Sequence, residues 1–449
     1  MADVTIKQCL EKLGYKPYSG TTCDKIPDWI RWYQGYDEDF HKYTINNGIQ
    51  STTQYRSHLD MAKTVCEDWS NLLLNEKVLI TSDESSDATL QEVFAANEFE
   101  MRANQLIEIT MALGTGAFVE FKQKDRIIID YIRADMIFPL SWENGVIKEV
   151  AFGSRCQLNG QSTIYLQIHV LKSKEEPTYL IKNHYFDAET GNEIEGVDGV
   201  EAVVDTKSSK PLFQIITPNI INNIDLDSPM GISVYANAID VLKGCDLVYD
   251  SLCNEFKLGK KRIFVPSSFA KIKMSVDGDK TFAIFDTNDT VFHAYPGNED
   301  KGITETNGQL RVEAHTAGLN KNLDVLSFKC GLGKDRYRFE NPGVKTATEV
   351  ISEDSDLYRN LRKHEKVLET ALRSLCSRVL FLSSGVEPKV DINIKFDDSI
   401  IQDAETERKN DREDLANGTL KREEYRAKWR GETLEEALAN LPEVAEVME

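Results

Sequence analysis

The sequence predicts an α+β fold, with helices first, an antiparallel sheet second, and a helical second half interrupted by a small β module. Three observations carry this prediction. Apolar residues recur every three or four positions up to Leu113. From Ala117 the pattern changes to β-branched and aromatic runs separated by turn signals. From Ser228 to Thr348 the order is long helix, short β excursion, second helix, then a basic, glycine-punctuated loop. Two helices around a small β module cannot enclose a core by themselves. That order points to one wedge of a larger assembly.

The elements follow in turn. Pro27 to Tyr43 carries Trp29, Trp32, Tyr33, Tyr36, Phe40 and Tyr43 at helical rather than alternating spacing. Tyr55, Leu59, Ala62, Val65, Trp69 and Leu72 mark an amphipathic helix, and Leu90, Val93, Phe94, Phe99, Leu106 and Ile109 mark another over Ala88 to Leu113. The latter stops at Gly114-Thr-Gly116, a suitable terminator. Strands are expected at Ala117–Phe121, Arg126–Tyr131, Val146–Phe152, Thr163–Leu171 and Tyr179–Tyr185. Lys124-Asp125, Glu143-Asn-Gly145, Asn159-Gly160 and Thr190-Gly-Asn192 separate them, giving an antiparallel meander. Gly191 to Asp205 reads as an exposed acidic loop.

In the second half, Ser228-Pro229 supplies an N-cap and a first-turn proline. A helix is therefore expected from Ser228 to Leu258, about 45 Å long at about 1.5 Å per residue. A β-rich stretch from Arg262 to Tyr295, a helix from Gly308 to Gly331 and the loop Gly333 to Lys345 follow. A third long helix is expected from Thr346 to Leu382 and a strand at Lys389 to Phe396. Gln402 to Glu449 reads as a charged helical tail broken at Asn417-Gly418.

At 449 residues the chain is long enough for two or three domains of about 100–200 residues each. Its formal net charge of −21 makes it a poor prospect for tight nucleic-acid binding, which depends on Lys and Arg displacing counterions. A protein that lets DNA slide past without sticking is still compatible with that charge. The eight cysteines are scattered with no C-x-x-C, so neither a zinc site nor a secreted disulfide framework is expected. The first residues show no basic stretch followed by an apolar run, so no signal peptide is expected. No apolar run reaches about 18 residues, so no membrane span is expected either.

Candidate chemistry is sparse. Gly114-Thr-Gly116 follows a helix and opens a strand, the reverse of the dinucleotide fingerprint. Gly331-Leu-Gly-Lys334 resembles a phosphate loop only superficially, because Phe328 stands where the earlier glycine is required and Asp335 where Ser or Thr should be. Asp225 and Asp227 could hold a hard cation or favour the positive end of the helix expected after them; capping is the preferred reading. The seven histidines form no H-x-x-x-H or H-E-x-x-H pair. No cofactor and no catalytic activity are expected. Two basic clusters stand out in an acidic chain. Lys257, Lys260, Lys261 and Arg262 either meet phosphates or simply suit a helix C-terminus. Lys334, Arg336, Arg338 and Lys345 extend well past a helix end, which favours a functional reading.

The order of parts resembles the portal proteins of tailed bacteriophages of the long-noncontractile-tail type. The resemblance rests on Met61-Ala-Lys-Thr-Val-Cys-Glu-Asp-Trp69 with Leu72-Leu-Leu-Asn-Glu76, on Gly114-Thr-Gly-Ala-Phe118, on Gly343-Val-Lys-Thr-Ala-Thr-Glu349 and on Asn417-Gly-Thr-Leu-Lys-Arg-Glu-Glu-Tyr425. None of these is a chemical motif, and their specificity comes from their shared order.

The resemblance implies a ring, usually of twelve subunits, at one capsid vertex of the virion, assembled in the bacterial cytoplasm. It implies a wing over residues 1–227 and a first stem helix over 228–258. A clip over 259–307, a second stem helix over 308–331 and a tunnel loop over 332–345 would follow. Residues 346–402 would return to the wing and 403–449 would form a crown. Lys334, Arg336, Arg338 and Lys345 would face DNA. Asp240, Asp246, Asp250 and Glu255 would line the stem and repel phosphate. Lys260, Lys261, Arg262, Phe285 and Phe292 would dock partners. The partners implied are further copies of the chain, double-stranded DNA read without sequence specificity, the terminase large subunit, a head-completion adaptor, scaffold and major capsid protein, with no membrane. Two alternatives remain: another head or neck structural protein, and a metal-dependent hydrolase or transferase using Asp225 and Asp227.

Overall fold

The computed structural model of the chain describes residues 4–46, 48, 50–74, 78–124, 126–173, 178–197, 199–266, 271–274, 281–284, 292–295, 304–338, 347–396, 404–430 and 434–441. It divides into two compact units, one of residues 1–23, 67–233 and 342–449, the other of residues 24–66 and 234–341.

Helix α1 (Ile6–Lys12) opens on a capping box in which Thr5 and Gln8 satisfy each other's backbone N–H. Helices α2 (Thr21–Tyr33) and α3 (Glu38–His41) lead into a hairpin of β1 (Lys42–Asn46) and β2 (Ser51–Tyr55). Here the helical expectation is corrected at both ends. Tyr43 and Tyr55 lie in strands, because Thr44, Ile45, Thr52 and Thr53 favour a pleated chain. Helix α4 (Met61–Leu73) starts only after them.

After β3 (Leu79–Thr81) the expected single helix is two, α5 (Glu84–Ala96) and α6 (Phe99–Leu113). Asn97 causes the break. Its side-chain amide donates to Val93 O and Ile127 O and accepts from Ile129 N–H, and Glu98 turns left-handed at φ 49°. Gly114 ends α6 with φ 80° as expected.

Strands β4 (Gly116–Gln123), β5 (Arg126–Arg133), β6 (Ile137–Glu143), β7 (Val146–Leu158), β8 (Gln161–Leu171), β9 (Tyr179–Asp187), β10 (Glu193–Ile194), β11 (Val203–Asp205) and β12 (Phe213–Ile216) make two sheets. The larger runs β10-β9-β8-β7-β6 with β11 also on β9, and the smaller runs β12-β4-β5. The meander is thus confined to the larger sheet. Strand β6 holds Pro139, which is tolerated because β6 is an edge strand. The segment expected as an exposed loop instead contributes β10 and β11, both paired antiparallel to β9. Alternation along β8 sends Ile164, Leu166, Ile168 and Val170 into a core with Cys9 and Leu10 of α1. The opposite face carries His169, packed edge-on to Phe152 and Phe213.

Helix α7 spans Ile239–Leu258, so the helix expected from Ser228 begins later and is about 30 Å long. The preceding segment is held by a close backbone approach. A Cβ on Gly231 would stand 2.3 Å from Gly114 O, and Gly231 N–H donates to Thr115 Oγ1. Ser228 Oγ accepts from Met230 N–H, closing a turn instead of capping a helix. Strands β13 (Arg262–Pro266), β14 (Lys271–Met274), β15 (Thr281–Ile284), β16 (Phe292–Tyr295) and β17 (Thr304–Thr306) form a sheet ordered β16-β13-β17 and a β14–β15 hairpin. Helix α8 (Val312–Lys329) follows, shorter at both ends than expected.

Helix α9 (Ala347–Ser384) packs its Leu357, Leu361, Leu368, Leu372, Leu375 and Val379 stripe inward, against α5, β4 and β12 among other elements. Within the same unit Trp69 meets His364 edge-on at 4.7 Å. Strand β18 (Asn393–Lys395) pairs with β3. Helices α10 (Ala404–Asn417), α11 (Arg422–Arg430) and α12 (Leu434–Ala439) form the tail, with Gly418 at φ 74° making the expected break.

Candidate functional site in the α7 to α8 region

Helices α7 and α8 pack along each other within the second unit. Helix α7 buries Leu242 and Cys245, and α8 buries Leu319, Leu323 and Leu326. Arg311, just before α8, clasps the far end of α7. Its Nε and Nη2 donate to the two Glu255 carboxylate oxygens at 3.2 and 2.8 Å, and His315 Nε2 stands 3.6 Å away. The Arg311 guanidinium holds the Glu255 carboxyl down at about 2.

The acids expected to line a channel are corrected by this geometry. Asp246 and Asp250 are buried at 5% and 6% exposure. Asp246 accepts Leu59 N–H at 2.9 Å and stands 3.2 Å from His41 Nε2. Asp250 accepts Ser57 N–H at 2.8 Å and Asn254 Nδ2 at 3.0 Å. These carboxyls fix the chain after β2 to α7 and do not face solvent. Burial pushes the Asp246 carboxyl up, and the Leu59 and His41 contacts oppose it. Glu255 is taken up by Arg311. Asp240 remains, with its side chain 96% exposed and a loose 3.5 Å contact to Lys243.

What α7 and α8 leave in solvent mixes apolar side chains with Asp240, Lys257, Glu313, Lys321 and Lys329. Leu247 and Leu258 on α7 are 51% and 67% exposed, and Val325 and Phe328 on α8 are 36% and 59% exposed. On α8, Ala314, Ala317, Lys321, Val325 and Phe328 follow one another at helical spacing, and all are exposed.

The loop after α8 begins with a Schellman motif. Gly331 at φ 83° donates to Phe328 O and Leu332 N–H donates to Ser327 O. The Gly331-Leu-Gly-Lys334 segment therefore ends a helix. Arg338 then reaches back to α8, donating to Asp324 Oδ1 and Oδ2 at 2.8 and 2.6 Å and pairing with Asp335 at 2.9 Å. Its charge holds the Asp324 carboxyl below the usual carboxylate range. Two acids thus offset the charge of Arg338, which is itself exposed. Lys334 and Arg336 are exposed. Lys345 lies outside the described residues.

At the other end of α7, Lys260 and Arg262 are exposed, while Lys261 pairs with Glu305 of β17 at 2.6 Å. Phe292 opens β16 and Phe285 lies outside the described residues.

The capping reading of Asp225 and Asp227 is corrected. No helix starts beside them, and Asp225 accepts the Tyr18 hydroxyl, which burial and this carboxylate push up to about 12. Asp225 Oδ1 also accepts Asp227 N–H. Among the described residues no group of three His, Cys, Asp or Glu side chains is placed to hold a metal ion. No helix among them is long and apolar enough to cross a membrane.

Sequence reasoning missed the β1–β2 hairpin and the Arg311–Glu255 clasp. Alternating β-branched residues around Asn46-Asn47-Gly48 signalled the hairpin. Nothing local signalled the clasp, whose partners are 56 positions apart.

A protein-family profile described as "Phage portal protein, SPP1 Gp6-like" matches residues 21–428. No curated protein sequence matches the chain. Among solved structures the chain is similar to one from the "Virion of native gene transfer agent (GTA) particle", at 13% identity and TM-score 0.44, over 94% of this chain and 97% of that one. It is likewise similar to one from the "Neck of native GTA particle computed with C12 symmetry", at 12% identity and TM-score 0.43, over 97% and 98%. The profile spans most of both units, and the chain belongs to the SPP1 Gp6-like family of phage portal proteins.

Proposed function

We propose that the chain assembles into a closed ring, of twelve copies as expected for the family, at one vertex of a phage capsid, and that double-stranded DNA enters and leaves through the centre. The observation that carries this reading is the α7–α8 pair, on which Leu247, Leu258, Val325 and Phe328 are all at least a third exposed among the described residues. Exposed apolar patches of this kind mark association surfaces, and a heterologous contact repeated around an axis closes a ring.

DNA passage needs a surface that does not hold phosphate. Charges beyond about 8 Å are heavily screened at physiological salt, so only groups at the lumen act on the duplex. The stem would offer apolar side chains and a few charges of both signs, Asp240, Lys257, Glu313, Lys321 and Lys329, and the loop after α8 would offer Lys334 and Arg336 as brief contacts. A few cations grip transiently, whereas a continuous basic lining would bind many phosphates and stall movement. Residues 259–307, with Lys260 and Arg262 at their base, would meet the terminase large subunit and later a head-completion adaptor. Scaffold and major capsid protein would surround the ring.

The test is assembly. Wild-type protein should give rings with a central hole in negative-stain micrographs, and Leu247→Asp with Phe328→Asp should give folded monomers of unchanged circular dichroism. Rings formed equally well by that double variant would remove α7–α8 from the interface. Lys334→Ala with Arg336→Ala should leave rings intact and reduce DNA packaging; unimpaired packaging would remove the loop from DNA handling.

A further inference from the structure

The tail brings two like charges together without neutralising them. Helices α10 and α11 pack on each other. Arg408 and Arg412 lie one turn apart on α10, both exposed, and like charges at this spacing repel. Their Nε groups nevertheless donate to one shared acceptor, the Tyr425 hydroxyl of α11, at 3.4 and 3.2 Å. Neither guanidinium meets a carboxylate among the described residues. Asp411, beside Arg412 in the sequence, is turned elsewhere and accepts from Lys428 Nζ at 2.7 Å and Trp429 Nε1 at 2.8 Å. Arg408 also lies over the Trp429 ring at 5.7 Å, which positions it but supplies no formal negative charge. Helix α11 itself carries Arg422, Arg426, Lys428 and Arg430 against Glu423 and Glu424, a basic stretch in a chain of net charge −21.

An anion completes this arrangement. Each guanidinium is a fork of N–H donors and accepts nothing; it spends its Nε on Tyr425 and keeps its Nη groups. The Tyr425 oxygen accepts from both, and its own O–H is left to donate. The two charges also hold the Tyr425 hydroxyl below the usual phenol range, the mark of a local field that favours negative charge. The donors arrive from two helices. A tetrahedral phosphate presents oxygens in several directions, whereas a carboxylate presents two in one plane. Arg and Tyr are both among the side chains that hold phosphate oxygens, and Arg does so through two parallel N–H bonds.

We propose that Arg408, Arg412 and Tyr425 form a binding site for a phosphate group, free in solution or carried on a nucleic-acid backbone. All three residues belong to one chain and to the first unit. The site therefore stands or falls independently of the ring.

The experiment titrates the full-length protein with two probes, inorganic phosphate and a short DNA duplex in phosphate-free buffer, by isothermal calorimetry. Wild type should bind at least one, and the probe that binds names the source of the phosphate. Arg408→Ala with Arg412→Ala should weaken that binding at least about tenfold, the scale of one charged hydrogen bond. Tyr425→Phe keeps the ring, removes only the hydroxyl and should weaken binding about threefold; it carries the test if circular dichroism shows the double variant unfolded. Lys421→Ala with Arg422→Ala removes the same charge from exposed positions of the same tail and should leave binding within about twofold. Poly-glutamate at matched ionic strength should not displace the bound probe. The site is overturned if neither probe binds wild type, if the two double variants lose affinity equally or not at all, or if poly-glutamate displaces the probe.

Discussion

Two pairs of buried ionisable groups, one pair in each unit, are handled in opposite ways. In the first, Glu120 on β4 and His169 on β8 are fully enclosed, and none of their side-chain oxygens or nitrogens has a hydrogen-bond partner. Burial pushes the Glu120 carboxyl well up and the His169 imidazole down to about 3, so both are held in their neutral forms. In the second unit Asp246 and Asp250 receive backbone N–H groups from positions 187 and 193 residues away in the chain. A neutral buried group needs only to be packed around. A carboxyl that accepts N–H bonds dictates which distant segment stands beside it. Glu120 and His169 are thus held by packing alone, and Asp246 and Asp250 act as polar joints.

Cavity formation should break the first unit most severely. Trp69 is fully buried and lies edge-on to His364. Trp69→Ala should cost about 3–5 kcal/mol, read as a lower midpoint in urea unfolding followed by circular dichroism. A loss below about 1 kcal/mol would mean that this core collapses around the gap.

The joint in the second unit is next in size. Asp246→Ala strands Leu59 N–H and His41 in a buried setting and should cost about 2–3 kcal/mol. Asp246→Asn keeps an acceptor for Leu59 and should lose less. Asp240→Ala, at an exposed side chain, should stay within about 0.5 kcal/mol. Equal effects for Asp246→Ala and Asp240→Ala in the same unfolding experiment would remove the joint.

Those two aspartates also show what the sequence displayed and what it did not. Acids spaced along a long helix normally read as its solvated face, and nothing near Asp246 announces His41, Leu59 or Ser57. Strands β4, β5, β7, β8 and β9 were legible because alternation and turn residues are local signals, as at Asn159-Gly160 between β7 and β8, whereas β6 with its Pro139 was missed. The start of α7 was misread for the same reason in reverse. Ser228-Pro229 is a sound local cap, yet the approach of Gly231 to Gly114 across the fold overrides it. Of the candidate loop, the cations were legible as a cluster, but Arg338 was not legible as the partner of Asp324.

The neutral groups are distinguished by pH. Native Glu120 keeps its proton above 4.5, where the unfolded chain releases it. Its contribution is therefore present below pH 4.5 and is lost as pH rises, by up to about 1.4 kcal/mol per pH unit. Glu120→Gln removes that slope, so the variant should gain on wild type progressively from pH 4.5 to 7. His169 and His364, lowered to about 3 and about 4, act in the opposite sense. Their contribution is complete above 6.5 and falls as pH drops through 6.5 toward 4 and 3. Thermal unfolding of both proteins across this range measures the difference, and a pH-independent gap would mean that Glu120 is ionised in the fold.

The smallest effect on stability concerns the joint nearest the proposed DNA path. Arg338 forks onto Asp324 at a partly exposed site, so Arg338→Ala or Asp324→Asn should cost about 1 kcal/mol. Loop order should respond far more than global stability, because this fork draws the basic loop back onto α8. Trypsin cleaves after Lys334 and Arg336, which makes the loop its own reporter. Limited digestion followed by mass spectrometry should show faster cutting after both residues in Arg338→Ala and Asp324→Asn, and slower cutting after Lys334 alone in Lys334→Ala. If the fork is what sets the loop, the two charge-removing variants should behave alike although one deletes a cation and the other an anion. A loop cut at the wild-type rate in both would mean that the Schellman turn at Gly331 suffices to hold it, and that Arg338 is available to phosphate after all.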